Sequence, residues 1–351
     1  MIRRFAALAG LVALPAAASR LVVGRAAERL LDAPRTMPGE ADLGPVIDAL
    51  GGEVVRLRSR DGLRLAGRWL PAEPGGEGDA DWRPDPHEAI LLLHGWSGSV
   101  APDVVEYGPF LRRTAGVLGL DFRGHGGSDS GPTTFGMLEV EDVAGALAWL
   151  GDRGVQRVAM LGTSMGGMTA LASIVVLGDG SPTGADVDPD APAHDIAARR
   201  PRIVAAVADS VAPELTVSVG NRLRTPLRHF VAAWMFEAAS RRIGGDIRAT
   251  EPIRIIGLVE SMPVLLIHGT ADATVPLRDG ERLAAAAGPN VEHWTVPGAG
   301  HSGGHATAPD AYEARVTAFL RRALVEARGG QPIIPPPVPD EAPAGGGQEG
   351  D

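Results

Sequence analysis

The 351-residue sequence contains neither cysteine nor lysine. Without cysteine there are no disulfides, thiol nucleophiles, iron–sulfur clusters or cysteine-held zinc, and the redox compartment is left open. All 33 basic residues are arginine, which excludes a lysine Schiff base, a pyridoxal phosphate enzyme and a Walker-type phosphate loop, since each needs an ammonium group. Aromatic residues are scarce, at 4%. Positive charge is outnumbered, giving a net charge of −10, and no basic stripe is present to follow a phosphate backbone, which argues against nucleic acid as a partner. What the chain does have is 44% hydrophobic residues, 22% charged residues, 47 Gly and 29 Pro. That is a globular composition with long loops, of a length for one large domain or two modest ones.

The negative charge is concentrated. Residues 178–195 hold five Asp and no Arg, residues 73–88 hold six acids against Arg83, and residues 329–351 hold four acids and no base. The rest of the chain is therefore slightly positive. Two of these stretches, 72–88 and about 178–202, read as acidic surface insertions without apolar periodicity. The Pro- and Gly-rich segment 329–351 reads as a disordered acidic tail. At the other end, Arg3 and Arg4 precede a charge-free apolar run from Phe5 to Ala18, with small residues at Ala16, Ala17 and Ala18. Residues 1–27 are read as a secretory signal or an amino-terminal membrane anchor, placing the protein at the cell envelope. The competing reading is an Ala-rich amphipathic helix lying on the domain, in a cytoplasmic protein, because the run is short for a bilayer span and Arg20 and Arg25 interrupt any extension.

Between these segments, short apolar runs alternate with helical patterns. Runs at 89–94, 115–121, 156–162, 203–209, 263–268 and 291–296 have strand length, and several are apolar on successive residues, as strands covered on both faces should be. Helical patterns fall at 137–150, 165–177, 277–287 and 309–327. The alternation predicts an α/β domain over 45–328, with a mostly parallel sheet and helices on both faces. Arg60-Asp61-Gly62 between 53–58 and 63–70 signals an antiparallel hairpin at its start. The interval of about 210–260 is too wide for a simple crossover, and its helical pattern near 226–242 reads as a small cap. The cap residues Trp234, Met235 and Phe236 fit either a hydrophobic substrate portion or core packing.

The strongest chemical signal is Gly162-Thr163-Ser164-Met165-Gly166, directly after a strand and directly before a helix. A serine presented on so sharp a turn has its hydroxyl thrust above the sheet, and residues two before and two after it must be small. The amide of Met165, at the helix start, then points at the same space and can stabilise an oxyanion. A serine hydroxyl also needs a base, and the base needs an orienting carboxylate. Asp272 follows the strand at 263–268, and His301 follows the next strand on the loop Pro297-Gly298-Ala299-Gly300. Ser164, Asp272 and His301 thus all fall at one edge of a parallel sheet. His305 is a rival base and Asp209 a rival acid. No cluster has metal-ligand spacing, and His301-x-x-x-His305 lacks the intervening Glu of a helical zinc motif.

Over roughly residues 50–328 the chain resembles the α/β-hydrolase superfamily. The likeness is carried by His94-Gly95-Trp96, by Asp121-Phe122-Arg123-Gly124-His125-Gly126-Gly127-Ser128, by the turn at Ser164, and by His268-Gly269…Asp272…Val275-Pro276 with His301. The combination resembles the serine-hydrolase branch that contains esterases, lipases and serine peptidase-like members. The resemblance implies a second oxyanion amide just after His94-Gly95, that of Trp96. It also implies that His94 and the 121–128 loop shape the site, and that His125 and His268 make structural hydrogen bonds. The expected activity is cleavage of a carboxylic ester or related acyl compound through an acyl-enzyme on Ser164, with a small-molecule acyl substrate and no cofactor. A peptidase or acyltransferase of the same fold, and a non-catalytic binding protein, are the alternatives. Sibling branches that dehalogenate haloalkanes or open epoxides carry Asp where this chain has Ser164.

Overall fold

The computed structural model describes residues 16–73, 82–178, 200–223 and 226–329. Residues 74–81 of the first acidic insertion, most of the second, residues 1–15 and nearly all of the 329–351 tail lie outside the described residues.

The apolar runs become strands with boundaries within about two residues of those expected. They are β1 (Glu53–Arg58), β2 (Arg64–Leu70), β3 (Glu88–Leu93), β4 (Gly116–Asp121), β5 (Arg157–Thr163), β6 (Arg202–Asp209), β7 (Val264–Gly269) and β8 (Val291–Val296). They form one sheet in the order β1-β2-β4-β3-β5-β6-β7-β8. β2 runs antiparallel to both β1 and β4, and every other pairing is parallel. Gly62 closes the β1–β2 turn with φ of 97°, a conformation that favours glycine.

Every residue of β3, β4 and β7 is buried, which explains their runs of successive apolar residues. Successive side chains serve opposite faces. Leu91 and Leu93 of β3 enter one core and Ile90 and Leu92 the other; in β7, Val264 and Leu266 oppose Leu265 and Ile267. The helices that cover these faces are α1 (Ala16–Leu31), α2 (Ala101–Leu111), α3 (Glu139–Gly151), α4 (Met165–Leu177), α5 (Leu215–Arg222), α6 (Arg228–Ile243), α7 (Leu277–Ala285) and α8 (Pro309–Ala327). The first face packs against α1, α3, α4 and α6, and the second against α2 and α8. Sequence periodicity misses α2, because Pro102 and the Gly108-Pro109 pair read as breakers; Pro102 in fact sits in its first turn, where no amide partner is lost.

One expectation changes. The folded body begins well before residue 45. The boundary drawn at 27 falls inside the continuous helix α1, which packs on α6 and sends Ala27, Leu30 and Leu31 into the main core. The chain that follows is stitched to the top of the domain: Thr133 N–H donates to Leu31 O at 2.8 Å, Gly98 N–H to Pro34 O at 2.7 Å and Gly126 N–H to Arg35 O at 2.8 Å. Among the described residues no helix is long and apolar enough to cross a membrane. Of the two readings of the apolar cap residues, core packing holds for Met235 and Phe236. Met235 and Phe236 are buried, and Phe236 meets Phe135 edge-on with ring centres 5.9 Å apart. They hold the cap helix to the body and do not line the cavity above Ser164.

Candidate active site

Ser164 joins β5 to α4 with φ 50° and ψ −110°, a strained conformation for any residue with a side chain. The turn is possible because its neighbours have none. A Cβ on Gly162 would lie 2.3 Å from the Gly166 carbonyl carbon, and one on Gly166 would lie 2.0 Å from the Leu93 oxygen. The Ser164 amide is held by the Asp209 carbonyl at 2.8 Å, so the end of β6 braces the turn.

The three residues expected from the sequence meet. Ser164 Oγ lies 3.0 Å from His301 Nε2, and His301 Nδ1 lies 2.8 Å from Asp272 Oδ2. With Asp272 ionised, the proton of the neutral ring belongs on Nδ1, which leaves Nε2 to accept from the serine hydroxyl. Asp272 Oδ1 accepts the amides of Thr274 and Val275, both at 2.8 Å. Burial works to raise its pKa, but the hydrogen bond and charge of His301, together with those two amides, bring the carboxyl below its ordinary value.

A cavity of about 260 Å³ opens above the serine, with Trp96, Asp103, Glu106, Tyr107, Arg222 and His301 on its walls. Neither the Trp96 amide nor the Met165 amide donates a hydrogen bond among the described residues, and the Trp96 indole is tied to the Leu30 carbonyl at 3.3 Å. A second cavity of about 480 Å³ adjoins the first across Gly95, Pro102 and Asp103.

The remaining motif residues hold this frame. His94 Nδ1–H donates to Gly95 O at 2.7 Å while its Nε2 accepts from Phe122 N–H at 3.2 Å, and burial pushes its pKa down to about 3, so it is neutral. His125 likewise bonds Arg123 O at 2.9 Å and the Ser97 amide at 3.3 Å. His268 reaches Val275 O at 2.7 Å. The rival base His305 lies between Glu106 and Glu313, at 3.2 and 3.3 Å, and not against the serine. The rival acid Asp209 is fully buried, accepting from Ser210 Oγ at 2.8 Å and Tyr312 OH at 3.0 Å. Ser210 Oγ in turn accepts the Ser302 amide at 2.8 Å. β6 thus supports the residue after His301 as well as the Ser164 turn. Among the described residues no group of three or more His, Asp or Glu could hold a metal ion.

Sequence reading missed Asp103, Glu106 and Arg222. The first two lie on α2, whose helix was not predicted, and Arg222 belongs to no motif. Asp103 accepts from Thr163 Oγ1 at 3.2 Å, and burial pushes its pKa up to about 7, with the Thr163 bond opposing and the charge of Glu106 adding. A carboxyl raised in the folded state makes folding less favourable as pH climbs from its unfolded value toward the raised one. Replacing Asp103 by Asn is therefore expected to stabilise the protein relative to wild type by ~1–3 kcal/mol at pH 8. The gain should grow between about pH 4 and pH 7 and level off above. Chemical denaturation across that range measures it; a gain independent of pH would reject the assignment.

The model of the Alpha/beta hydrolase family matches residues 90–315. The uncharacterized protein YfhR of Salmonella typhi is 26% identical over 277 residues, covering 78% of this chain and 80% of that protein. The uncharacterized protein Rv2307c of Mycobacterium tuberculosis is 26% identical over 291 residues, covering 81% and 84%. Among solved structures, the esterase Pf2001 of Pyrococcus furiosus superposes with a TM-score of 0.59 at 21% identity, covering 84% of this chain and 98% of the esterase. An alpha-beta hydrolase from Vibrio vulnificus gives a TM-score of 0.60 at 18% identity, covering 84% and 93%.

Proposed function

The chain belongs to the alpha/beta hydrolase family, and from that premise we propose that it is a serine hydrolase cleaving a carboxylic ester or related acyl compound through an acyl-enzyme on Ser164. The observation that carries this reading is the unbroken hydrogen-bond line Ser164–His301–Asp272, aimed into a cavity from a strained turn.

In the first half-reaction Ser164 Oγ attacks the acyl carbon as His301 Nε2 takes its proton. Asp272 keeps the Nδ1–H tautomer in place and balances the imidazolium that forms. The developing oxyanion is met by the amides of Trp96 and Met165, both without another partner among the described residues. His301 passes the proton to the leaving alcohol as the acyl–oxygen bond breaks. Water then repeats the sequence on the acyl-enzyme: His301 deprotonates it, the acid is released, and the proton returns to Ser164. No step needs a metal or organic cofactor.

The test is covalent. An alkyl fluorophosphonate should add to the protein once, on the peptide containing Ser164, and prior labelling should abolish turnover of short-chain nitrophenyl esters. A phosphonate adduct on a different residue, or ester turnover that survives full labelling, would overturn the proposal.

A further inference from the structure

Arg222 ends α5 and lines the cavity that also contains Ser164 and His301. Its neighbours are already engaged. Glu106 faces His305 at 3.2 Å, Asp103 accepts from Thr163 at 3.2 Å, and Asp272 is taken up by His301 and two amides. Arg222 itself makes no hydrogen bond or ion pair among the described residues, and Asp272 is the one carboxylate whose charge acts on it. Its backbone is anchored, since the adjacent Asn221 donates through Nδ2 to Thr274 O at 2.9 Å, on the loop that presents Asp272. An exposed arginine whose side chain has no hydrogen-bond or ion-pair partner among the described residues thus shares the cavity with Ser164, and its neighbour ties it to the loop that orients the base.

Resting on the acyl-enzyme reading, we infer that Arg222 is an anion-recognition residue and that the preferred substrates are esters bearing a free carboxylate near the scissile acyl group. Three features support this. The guanidinium is planar and offers two parallel N–H groups, which match the two oxygens of a carboxylate. The apolar cap residues Met235 and Phe236 are buried in the core and do not line this cavity. A monoanion also suits the site better than a phosphate dianion, since Asp103 and Glu106 on the neighbouring wall oppose a second negative charge.

The experiment compares monoethyl glutarate with ethyl pentanoate, which has a methyl group in place of the distal carboxylate. A second pair, butyryloxyacetate against ethyl butyrate, places the carboxylate on the alcohol side. In at least one pair the wild type is expected to favour the carboxylate-bearing ester by about tenfold or more in kcat/KM. Arg222→Gln should reduce that ratio to near one, mainly through KM for the charged ester, and Arg222→Lys should keep part of it. Raising the salt concentration should shrink the wild-type preference. Preference for the neutral ester in both pairs, or a preference that Arg222→Gln leaves intact, overturns the inference. If Ser164 takes the phosphonate and neutral esters turn over, such a result leaves the acyl-enzyme reading standing. No labelling and no turnover of any ester overturns both.

Discussion

Ser164→Ala is expected to lower kcat/KM for any accepted ester by about 10⁴- to 10⁶-fold while the protein remains folded. The hydroxyl is poised 3.0 Å from His301 Nε2, on the turn between β5 and α4. Alanine removes it without adding volume, and the braces of the turn are untouched, because Ser164 N–H still reaches Asp209 O and the glycines still clear one another. Oxyanion stabilisation and binding survive in such a variant, so some rate above the uncatalysed reaction should persist. His301→Ala should fall into the same range, since a serine without its base is a weak nucleophile. The two losses should not add, because both residues act in one proton transfer. Steady-state kinetics on the single and double variants measures this. A Ser164→Ala variant retaining a tenth of wild-type activity would mean that another group attacks, or that the observed turnover has another origin.

Arg123→Met is expected to destabilise the protein by about 3–5 kcal/mol, the largest change in stability anticipated here. The Arg123 side chain is 2% exposed and that of Asp142 is wholly buried. Nε and Nη2 bond the Asp142 carboxylate at 3.0 and 2.8 Å, and Nη1 and Nη2 reach Asp61 at 2.9 Å. Burial works against the charge on the guanidinium, but the two carboxylates outweigh it and keep Arg123 protonated. Removing the cation leaves Asp142 buried, with the Arg123 amide at 2.9 Å to satisfy it. The double variant Arg123→Met/Asp142→Leu should recover much of the loss, since an apolar pair of similar size avoids the desolvation penalty. Urea unfolding of wild type, single and double variants forms the cycle. A single variant within about 1 kcal/mol of wild type would show that the pair contributes little. The site should register the loss as well, because Arg123 belongs to the loop whose His125 holds the Ser97 amide beside Trp96.

How far the site could be read in advance depended on whether a residue's role is local. Gly162 and Gly166 mark Ser164 as the candidate nucleophile because a sharp turn makes a local steric demand, and that demand shows in spacing. Asp272 and His301 reveal themselves by following successive strands, which a parallel sheet delivers to one edge. Arg222 carries no such mark. Its proximity to Ser164 depends on how the cap folds over the sheet, and Asp103 and Glu106 reach the cavity through a helix whose prolines hid it. Met235 and Phe236 show the converse: an apolar pattern records that a side chain leaves water, but not which surface it meets.

Sequence periodicity and local sterics determined the mixed sheet, its hairpin edge, the helices on both faces and the candidacy of Ser164, Asp272 and His301, because each follows from what a residue's near neighbours permit. Tertiary packing alone decided that α1 joins the body upstream of residue 45, that Asp209 braces both sides of the site, and that Arg222, whose side chain has no partner among the described residues, lines the same cavity as the serine. Those outcomes depend on contacts between segments far apart in the chain, which no stretch of neighbouring residues encodes.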